Sequence, residues 1–307
     1  MRDKLNHMGV DWFHLDLTSS RSPGDYLLGL GTGSSELAVL DSNGRWFSPD
    51  EIRGVWCRSY NFHNGSPPEE LSAKRFSRAE DTYCLEYLFY CLGHANWVNP
   101  VDTPFLTRRG VANRLIQSKI AASLGLHIPE QIISNDGEKL KKFLVEADYA
   151  VINKAISQGS SSESGPMYVR TLRLEKSHLE VLGRSSGCPV LLQRLVPKAY
   201  ELRIAVVGDA VYAGAIDTGA SGGDLVDSRE GVHKGLSYYR YAVPQEEARV
   251  LIELNQRLGL RYSSMDFIRD LDGRLVFLEA NPSGQWGFLQ SHTGYPIAER
   301  IVQELLH

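Results

Sequence analysis

Long apolar runs are absent from this chain, and so is any cysteine spacing typical of a zinc or redox site. No segment approaches the roughly 20 consecutive apolar residues that cross a bilayer. The amino terminus, Met-Arg-Asp-Lys-Leu-Asn-His, also lacks the apolar core of a secretory signal. Only four cysteines occur among 307 residues, and no pair has the CxxC spacing. We therefore predict a cytoplasmic protein with no membrane partner.

An excess of positive charge is missing as well. The 33 lysine and arginine residues are outnumbered by 37 aspartate and glutamate residues, which gives a formal net charge of −4. A protein that binds a nucleic-acid backbone needs a basic surface, so we predict no nucleic-acid partner. The hydrophobic fraction of 42%, in contrast, is enough to build a sizeable core. The sequence therefore predicts a folded protein and excludes a disordered or fibrous one.

Helical and strand patterns alternate along the chain, which is typical of an α+β fold. Changes in this pattern predict three parts, formed by residues 1–100, 101–187 and 188–307. At the start of the first part, residues 5–8 resemble the last turn of a helix closed by Gly9, and residues 10–17 predict a strand.

The strongest functional signal lies in a hairpin near the carboxyl end of the sequence. If Asp270 pairs with Gly273 in its turn, residue 266 lies opposite residue 277. Because side chains alternate along a strand, Asp266 then projects from the same face as two polar residues of the second strand. Those two residues are Glu279 and Asn281.

Two carboxylates and an amide that converge in this way are hard oxygen ligands, which suit Mg²⁺. The alternative is that they are ordinary outward polar residues of a half-exposed hairpin. Phe277 and Leu278 make the strand apolar around Glu279, however, so burying this carboxylate without a cation would be costly. We therefore predict a magnesium site at Asp266, Glu279 and Asn281.

Two cationic side chains also lie at informative positions. Lys154 ends an apolar strand just before a loop rich in glycine and serine, which is a sensible place to hold a polyphosphate. Arg203 lies in an otherwise apolar strand and therefore needs an anionic partner. A structural ion pair with Glu201 or Asp217 is the alternative for Arg203, and simple exposure to solvent is the alternative for Lys154.

Several of these segments, in this order, resemble the ATP-grasp ligases. The resemblance is carried by Lys154, by residues 192–196 and 198–203, and by Asp266 with the Glu-Ala-Asn triplet at 279–281. More narrowly, the sequence is similar to the ligases that mature graspetides, the microviridin-type peptides. This narrower similarity lies in residues 55–58, 97–100, 117–129, 198–203 and 277–286.

The resemblance implies an ATP-grasp fold of three subdomains, with ATP between the central and the carboxyl-terminal one. It implies that Lys154 contacts the α and β phosphates and that a hinge reads adenine through its backbone. The implied hinge residues are Gln193, Arg194, Leu195 and Val196. Glu201 also belongs to the implied ATP site, and Arg114 takes the place of a phosphate-binding lysine.

The resemblance further implies that Asp266, Glu279 and Asn281 hold Mg²⁺ on the β and γ phosphates. Arg203 would stabilise the acyl phosphate and the tetrahedral intermediate. Asp227, Arg229 and Gln285 are the implied substrate-binding residues. The family pattern also has a first strand and helix before the position of Gly9, and we expect this chain to lack that strand.

The implied function is an ATP-dependent ligase acting on a ribosomal precursor peptide with a leader segment. It would join Glu or Asp carboxylates to Ser, Thr or Lys side chains, as esters or amides, through an acyl phosphate. A homodimer is compatible with this resemblance. Two other functions stay open: a ligase that joins free amino acids or adds them to a protein, and a noncatalytic module that binds leader peptides.

Overall fold

The protein, seen in a computed structural model, forms two compact units. One consists of residues 1–102 with 298–307, and the other of residues 103–297. The structure describes residues 1–15, 27–30, 37–40, 45–57, 72–100, 113–156, 160–162, 165–167, 171–183, 186–216 and 238–307. No helix in these ranges is long and apolar enough to cross a membrane.

Helices and strands are labelled separately in chain order. The helices are α1 (Arg2–His7), α2 (Ser72–Cys91), α3 (Arg114–Ser123), α4 (Gly137–Glu146), α5 (Leu179–Gly183), α6 (Gln245–Arg257), α7 (Gly287–Thr293) and α8 (Ile297–Leu306). The strands are β1 (Leu27–Leu30), β2 (Leu37–Leu40), β3 (Trp46–Phe47), β4 (Gly54–Trp56), β5 (Asn96–Val98), β6 (Gln131–Asp136), β7 (Val151–Lys154), β8 (Ser160–Ser162), β9 (Gly165–Met167), β10 (Leu172–Arg173), β11 (Ser186–Arg194), β12 (Lys198–Val207), β13 (Ala210–Ile216), β14 (Tyr239–Tyr241), β15 (Tyr262–Asp270) and β16 (Leu275–Asn281).

The predicted helix end at Gly9 is confirmed. Gly9 has a φ of 64° and donates its amide to the Asn6 carbonyl, while the Val10 amide donates to the Leu5 carbonyl. This pair of bonds closes the helix, and a left-handed residue at that position favours glycine. The strand predicted over residues 10–17 is wrong for residues 10–15, the part that the structure describes. In residues 10–15 the apolar side chains reach the core although the backbone forms no strand. The Phe13 ring stacks on the Phe47 ring, and the two ring centroids are 3.7 Å apart.

The first unit contains two small sheets. Strands β1, β2 and β3 form an antiparallel sheet, and β4 pairs in parallel with β5. One face of α2 buries Leu85 and Leu88 against Phe47 and Trp97.

The second unit holds two larger antiparallel sheets. The four-stranded sheet has the order β10-β7-β11-β6, and its core includes Leu140 and Leu144 of α4. Strand β11 lies between β7 and β6, so this sheet extends beyond the predicted boundary at residue 187. The division into three subdomains stays a prediction.

The five-stranded sheet has the order β14-β13-β12-β15-β16 and carries the largest core. One of its faces packs Ile204, Met265 and Phe277 against Leu251 and Leu254 of α6. Helix α3 lies along the outer strand β16. There the Gln117 side chain donates to the Ala280 carbonyl at 2.7 Å and accepts from the Ala280 amide at 3.0 Å. The two strands that carry the predicted metal ligands are therefore both held in place, β15 between its neighbouring strands and β16 by α3 on its outer side.

Candidate active site

The predicted metal ligands share one face of the β15–β16 hairpin. Asp266 lies directly opposite Glu279, and Ser264 lies opposite Asn281. Opposed residues of an antiparallel pair point to the same side, and Glu279 and Asn281 are two positions apart on one strand. The common face predicted for the three side chains is therefore confirmed.

The predicted register of this hairpin is wrong, because residue 266 lies opposite residue 279 and not opposite residue 277. Two features cause the difference. The turn has three residues, since the Asp270 amide donates to the Arg274 carbonyl and Gly273 adopts a φ of 79°. An irregularity between Glu279 and Phe277 then shifts the pairing by one more residue.

Asp266 is paired with the predicted catalytic arginine. Arg203 lies opposite it on β12, and its Nη1 donates to Asp266 Oδ1. The exposed fractions of the two side chains are 16% for Arg203 and 20% for Asp266. Burial raises the pKa of Asp266 to about 7, although the Arg203 charge acts in the opposite direction. Arg203 thus has an anionic partner, and that partner is a predicted metal ligand and not Glu201.

Glu279 is paired with a second arginine. Arg114 Nε lies 2.8 Å and Nη2 2.6 Å from Glu279 Oε2, while Asn281 donates to Glu279 Oε1 at 3.1 Å. Burial acts to raise the pKa of Glu279, but the Arg114 charge and the bond from Asn281 outweigh it. The result is a pKa of about 2. Glu279 is therefore an anion at neutral pH, whereas Asp266 titrates near pH 7.

Arg114 also connects the hairpin to the strand that ends at Lys154. The Asn113 side chain caps α3 by accepting the Leu115 amide at 3.0 Å, which makes Arg114 the first residue of the helix. From there Arg114 Nη1 donates to the carbonyl of Ala155, the residue after Lys154. The positive charge of Lys154 lowers the pKa of both Asp266 and Glu279. Lys154 and Arg114 are therefore brought to the two carboxylates.

Two residues that sequence reasoning missed surround Arg203. The Phe288 ring centroid lies 6.0 Å from the Arg203 guanidinium carbon, and the buried Tyr238 hydrogen-bonds Arg203. Burial raises the pKa of this tyrosine even though Arg203 opposes the shift. No local sequence pattern identifies Tyr238 or Phe288 as a site residue. The two residues share only their contact with Arg203, which lies on a strand far away in the sequence.

Glu201 has a partner of its own. It forms an ion pair with Lys198 on the same strand, and both side chains are largely buried. Glu201 precedes Arg203 by two positions and therefore lies on the same face of β12. Its predicted contact with ATP stays a prediction.

The predicted adenine hinge, residues 193–196, begins with the last two residues of β11 and continues past the end of that strand. The Arg194 amide already donates to the Glu130 carbonyl, and the Leu195 amide donates to the Ala150 carbonyl. In the described part of the chain, the Val196 amide donates to no backbone carbonyl. The Arg194 side chain lies over Phe143 of α4. These contacts leave Val196 as the hinge donor that a nucleotide base could use.

Gln193 presents a buried acceptor on the same side as Lys154. It lies opposite Ile152 of β7, which places its side chain on the sheet face that also carries Lys154. Gln193 Nε2 donates to Gln131 at 2.7 Å, and the side chain is 4% exposed. Gln193 Oε1 has no donor among the described residues. An unpartnered buried oxygen of this kind fits a bound group that donates a hydrogen bond.

Of the three predicted substrate-binding residues, the structure describes Gln285 alone. Gln285 is exposed, in the connection between β16 and α7. Asp227 and Arg229 lie outside the described residues, as does Asp217, the other alternative partner of Arg203.

The donor set fits Mg²⁺. Within the described ranges, no cluster contains three or more His, Cys, Asp or Glu side chains. The candidate set is instead two opposed carboxylates and an amide, and each carboxylate is balanced by an arginine. Mg²⁺ is commonly bound by one or two carboxylates together with the oxygens of a phosphate substrate. The site therefore has the right oxygens for a magnesium nucleotide.

Solved structures show the same fold. The chain is similar to the macrocyclase MdnC of Microcystis aeruginosa MRC, solved with its precursor peptide MdnA. The identity is 27% and the TM-score 0.80, with 99% of this chain and 93% of that one covered. A RiPP-associated ATP-grasp ligase of Chryseobacterium gregarium, in complex with ADP and with leader and core peptides, has 24% identity and a TM-score of 0.78. That match covers 99% and 90% of the two chains. The predicted ATP-grasp fold is thereby confirmed.

Among curated proteins, a probable alpha-L-glutamate ligase of Klebsiella pneumoniae (strain 342) is 25% identical over 192 residues. The match covers 62% of this chain and 62% of that relative. The chain thus matches about three fifths of the length of this relative. The profile of the RimK-like ATP-grasp domain matches residues 112–305, which include every site residue described above. Because this match extends over more than half of the sequence, the chain belongs to the RimK-like ATP-grasp family.

Proposed function

We propose that this protein is an ATP-dependent ligase that forms ester or amide bonds between side chains of a ribosomal precursor peptide. One observation carries the proposal: Arg203 lies on the same sheet face as two carboxylates and an amide suited to Mg²⁺. This arrangement offers one cation for an acyl centre beside oxygen ligands for a magnesium nucleotide. We infer that the enzyme acts in the cytoplasm, where ribosomal peptides are made.

The nucleotide would lie between the four-stranded and the five-stranded sheet. Lys154 would contact the phosphates, and the Val196 amide and the Gln193 side chain would face the base. Asp266, Glu279 and Asn281 would hold Mg²⁺, which when bound neutralises charge on the phosphates and on the transferred phosphoryl group. Glu201 would complete the ATP site.

Two steps give the product. A peptide carboxylate attacks the γ phosphorus of ATP, the bond to the β,γ-bridging oxygen breaks, and ADP leaves. A hydroxyl or amine then attacks the resulting acyl phosphate, phosphate departs with its electron pair, and the nucleophile loses its proton to solvent. Arg203 would stabilise the negative charge that develops on the acyl oxygen, because its guanidinium is fixed by Tyr238 and Phe288.

When nucleotide binds, the Arg114 guanidinium would have to exchange part of its contact with Glu279 for a contact with phosphate. In the structure its guanidinium is held by Glu279 and by the Ala155 carbonyl. A phosphate group at this site would compete with Glu279 for the guanidinium, and that competition would release the carboxylate to the metal. Arginine at this position keeps the charge of a lysine and adds bidentate geometry.

The peptide substrate is supported by the similarity to MdnC, which was solved with a precursor peptide. A leader segment bound apart from the reacting residues belongs to the same proposal, as does the homodimer. Asp227, Arg229 and Gln285 are proposed to contact the substrate.

A second candidate function is the addition of amino acids to a protein or to one another. The observation in its favour is the curated description of the relative as a probable alpha-L-glutamate ligase. Both candidates use the same acyl phosphate chemistry, so the site does not separate them. A noncatalytic leader-binding module is the third candidate, and the intact set of Lys154, Arg203, Asp266 and Glu279 argues against it.

The test is to incubate the protein with ATP, Mg²⁺ and a precursor peptide encoded beside its gene, and then to weigh the peptide. Each bond formed should lower the peptide mass by about 18 Da, because one water is lost, and Arg203→Ala should reduce the rate by at least about a hundredfold. Nucleotide binding should persist in that variant. A mass gain equal to an amino acid would support the second candidate, and leader binding without a mass change would support the third.

Arg269→Ala is the matched control. Arg269 is also buried in the five-stranded sheet and forms an ion pair with Glu247 at 2.6 Å, but it lies on the opposite face of β15 from Asp266. Its loss should lower stability and leave bond formation by the folded enzyme intact. An equal loss of product in both variants would contradict the assignment of Arg203 to the acyl centre.

A further inference from the structure

We propose that Gln117 is a positioning residue that sets the backbone between the two β16 metal ligands and thereby sets the affinity for magnesium nucleotide. The proposal rests on the proposed function, because it takes Glu279 and Asn281 as ligands. Gln117 would touch neither the metal nor the peptide. It acts on Ala280, the residue between the two ligands.

The geometry is a two-point amide clamp. Gln117 Nε2 donates to the Ala280 carbonyl at 2.7 Å, and Gln117 Oε1 accepts from the Ala280 amide at 3.0 Å. Both residues are fully buried, with no exposed surface on either one. Since the bonds meet the donor and the acceptor of one residue, they fix the position and the tilt of that peptide segment.

The two bonds of the clamp take the place of strand pairing on the outer side of β16. Among the strands that the structure describes, β16 is the last of its sheet, so no further described strand pairs with its outer backbone groups. The His127 carbonyl accepts the outward Phe277 amide at 2.8 Å, and Gln117 holds both outward groups of Ala280. These two contacts lie on either side of the irregularity next to Glu279. The part of β16 that orients the Glu279 side chain, from Phe277 to Ala280, is therefore held at both ends by residues of α3 and of the segment that follows it.

Helix α3 also binds the side chain of one predicted metal ligand, Glu279. Arg114 and Gln117 are three residues apart and so lie on one side of the helix. Arg114 holds the Glu279 carboxylate, whereas Gln117 holds the backbone that follows it. The Arg114 contact can be exchanged for a phosphate, but the buried Gln117 contact has no such competitor. The backbone clamp would therefore persist while the side chain changes its partner.

Only an uncharged side chain that both donates and accepts can make this clamp. Methionine has nearly the same shape as glutamine but cannot donate, and glutamate keeps the acceptor while losing the donor. Gln117→Met therefore removes both bonds with little change in volume. Gln117→Asn keeps an uncharged amide that is one methylene shorter, so it cannot reach both backbone groups of Ala280.

The experiment measures binding of a nonhydrolysable ATP analogue by calorimetry over a range of Mg²⁺ concentrations, together with hydrogen exchange at the Ala280 amide. In Gln117→Met we expect the Mg²⁺-dependent affinity to fall by about tenfold or more, as for other groups that orient metal ligands. Binding of the analogue without metal should stay within about twofold of the wild type. Exchange at Ala280 should accelerate. If Gln117→Met does not fold, Gln117→Asn carries the test, with an effect expected in the same direction.

Asn255→Leu is the matched control for a lost buried amide. Asn255 is 1% exposed, donates to the Leu260 carbonyl at 2.9 Å and accepts from Ser263 at 2.7 Å. It lies on α6, and its partner Ser263 is three residues before Asp266 on β15 and therefore lies on the opposite face of that strand. This variant should lose stability and keep the wild-type dependence on Mg²⁺. An equal loss of Mg²⁺ affinity in both variants would overturn the proposal, because the effect would then follow general destabilisation.

Glu279→Gln separates this inference from the proposed function. If it abolishes the Mg²⁺ dependence of binding while Gln117→Met leaves it unchanged, the metal site stands and the positioning role of Gln117 is wrong. If Glu279→Gln keeps the wild-type dependence on Mg²⁺, the metal assignment itself fails, and the proposed function fails with it.

Discussion

The two faces of the five-stranded sheet are made by the same strands, but one face is apolar and the other is charged. On β12, Arg203 lies on one face, and its neighbours Leu202 and Ile204 lie on the other. On β15, Asp266 is flanked in the same way by two residues of the core, Met265 and Phe267. The apolar face is buried against α3 and α6. The charged face carries the carboxylates of Glu201, Asp266 and Glu279, together with the guanidinium groups of Arg203 and Arg114.

The two faces also differ in what they contribute to stability. Each apolar side chain removed from water favours the folded state. On the charged face, burial raises the pKa of Asp266 to about 7, so the folded protein disfavours the ionised form of that carboxyl. Natural proteins often keep such unfavourable groups where they are needed for function. The apolar face therefore supports the arrangement on the charged face, and substitutions on the two faces should have different consequences.

The largest expected effect is on the charged face. Glu279→Gln should lower the rate of ATP-dependent product formation by about a thousandfold, since a metal ion supplies several kcal/mol of charge stabilisation and one anionic ligand is lost. The measurement is product mass against time at saturating Mg²⁺. Glu247→Gln is the control, because that carboxylate pairs with Arg269 on the other side of the sheet. Wild-type turnover in Glu279→Gln would contradict the contrast between the faces.

A smaller effect is expected on the apolar face. Ile204→Val removes one methylene from a side chain that has no exposed surface, and it should lower the free energy of unfolding by about 1 kcal/mol. Urea unfolding measures this loss. The Mg²⁺ dependence of nucleotide binding should not change, although the neighbouring residue is Arg203. A clear change in that dependence would mean that the two faces do not act independently.

A further effect expected on the charged face is a dependence of stability on pH. A carboxyl whose pKa is raised to about 7 on folding binds more protons in the folded than in the unfolded protein between about pH 4 and pH 7. Its contribution to stability is therefore least favourable above pH 7 and improves as the pH falls towards 4. Unfolding of the metal-free protein, compared with Asp266→Asn, should show the wild type gaining relative stability over this range. A constant difference would mean that Asp266 is not destabilised by burial.

Periodicity in the sequence was enough to predict that Glu279 and Asn281 lie on one face of β16, because alternation along a strand depends only on local geometry. Asp266 shares that face because the longer turn and the irregularity next to Glu279 each shift the pairing by one residue, and the two shifts together restore the predicted side. The register itself depends on the turn, where the Asp270 carboxylate accepts the Asp272 and Arg274 amides. That pattern favours a three-residue turn over the two-residue one expected.

The partners of the site residues could not be predicted from local patterns. Arg203 and Asp266 are 63 positions apart, and Arg114 and Glu279 are 165 apart. The apolar strand around Arg203 predicts that this arginine needs an anion, with a structural ion pair to Glu201 or Asp217 as the alternative to a role at the acyl centre. The choice of Asp266 follows from the pairing of β12 with β15, which only the tertiary fold determines.

The first unit contains residues from both ends of the sequence. Leu305 of α8 packs so closely on Gly54 that an added β carbon would lie 2.4 Å from its carbonyl oxygen. Lys4 forms an ion pair with Glu299, and Asn96 donates to the Leu305 carbonyl at 3.5 Å. During synthesis the ribosome makes residues 1–102 long before residues 298–307, so this unit cannot complete its packing while the second unit is being made. The unit that contains residues 1–102 is thus completed only after residues 103–297 have been made.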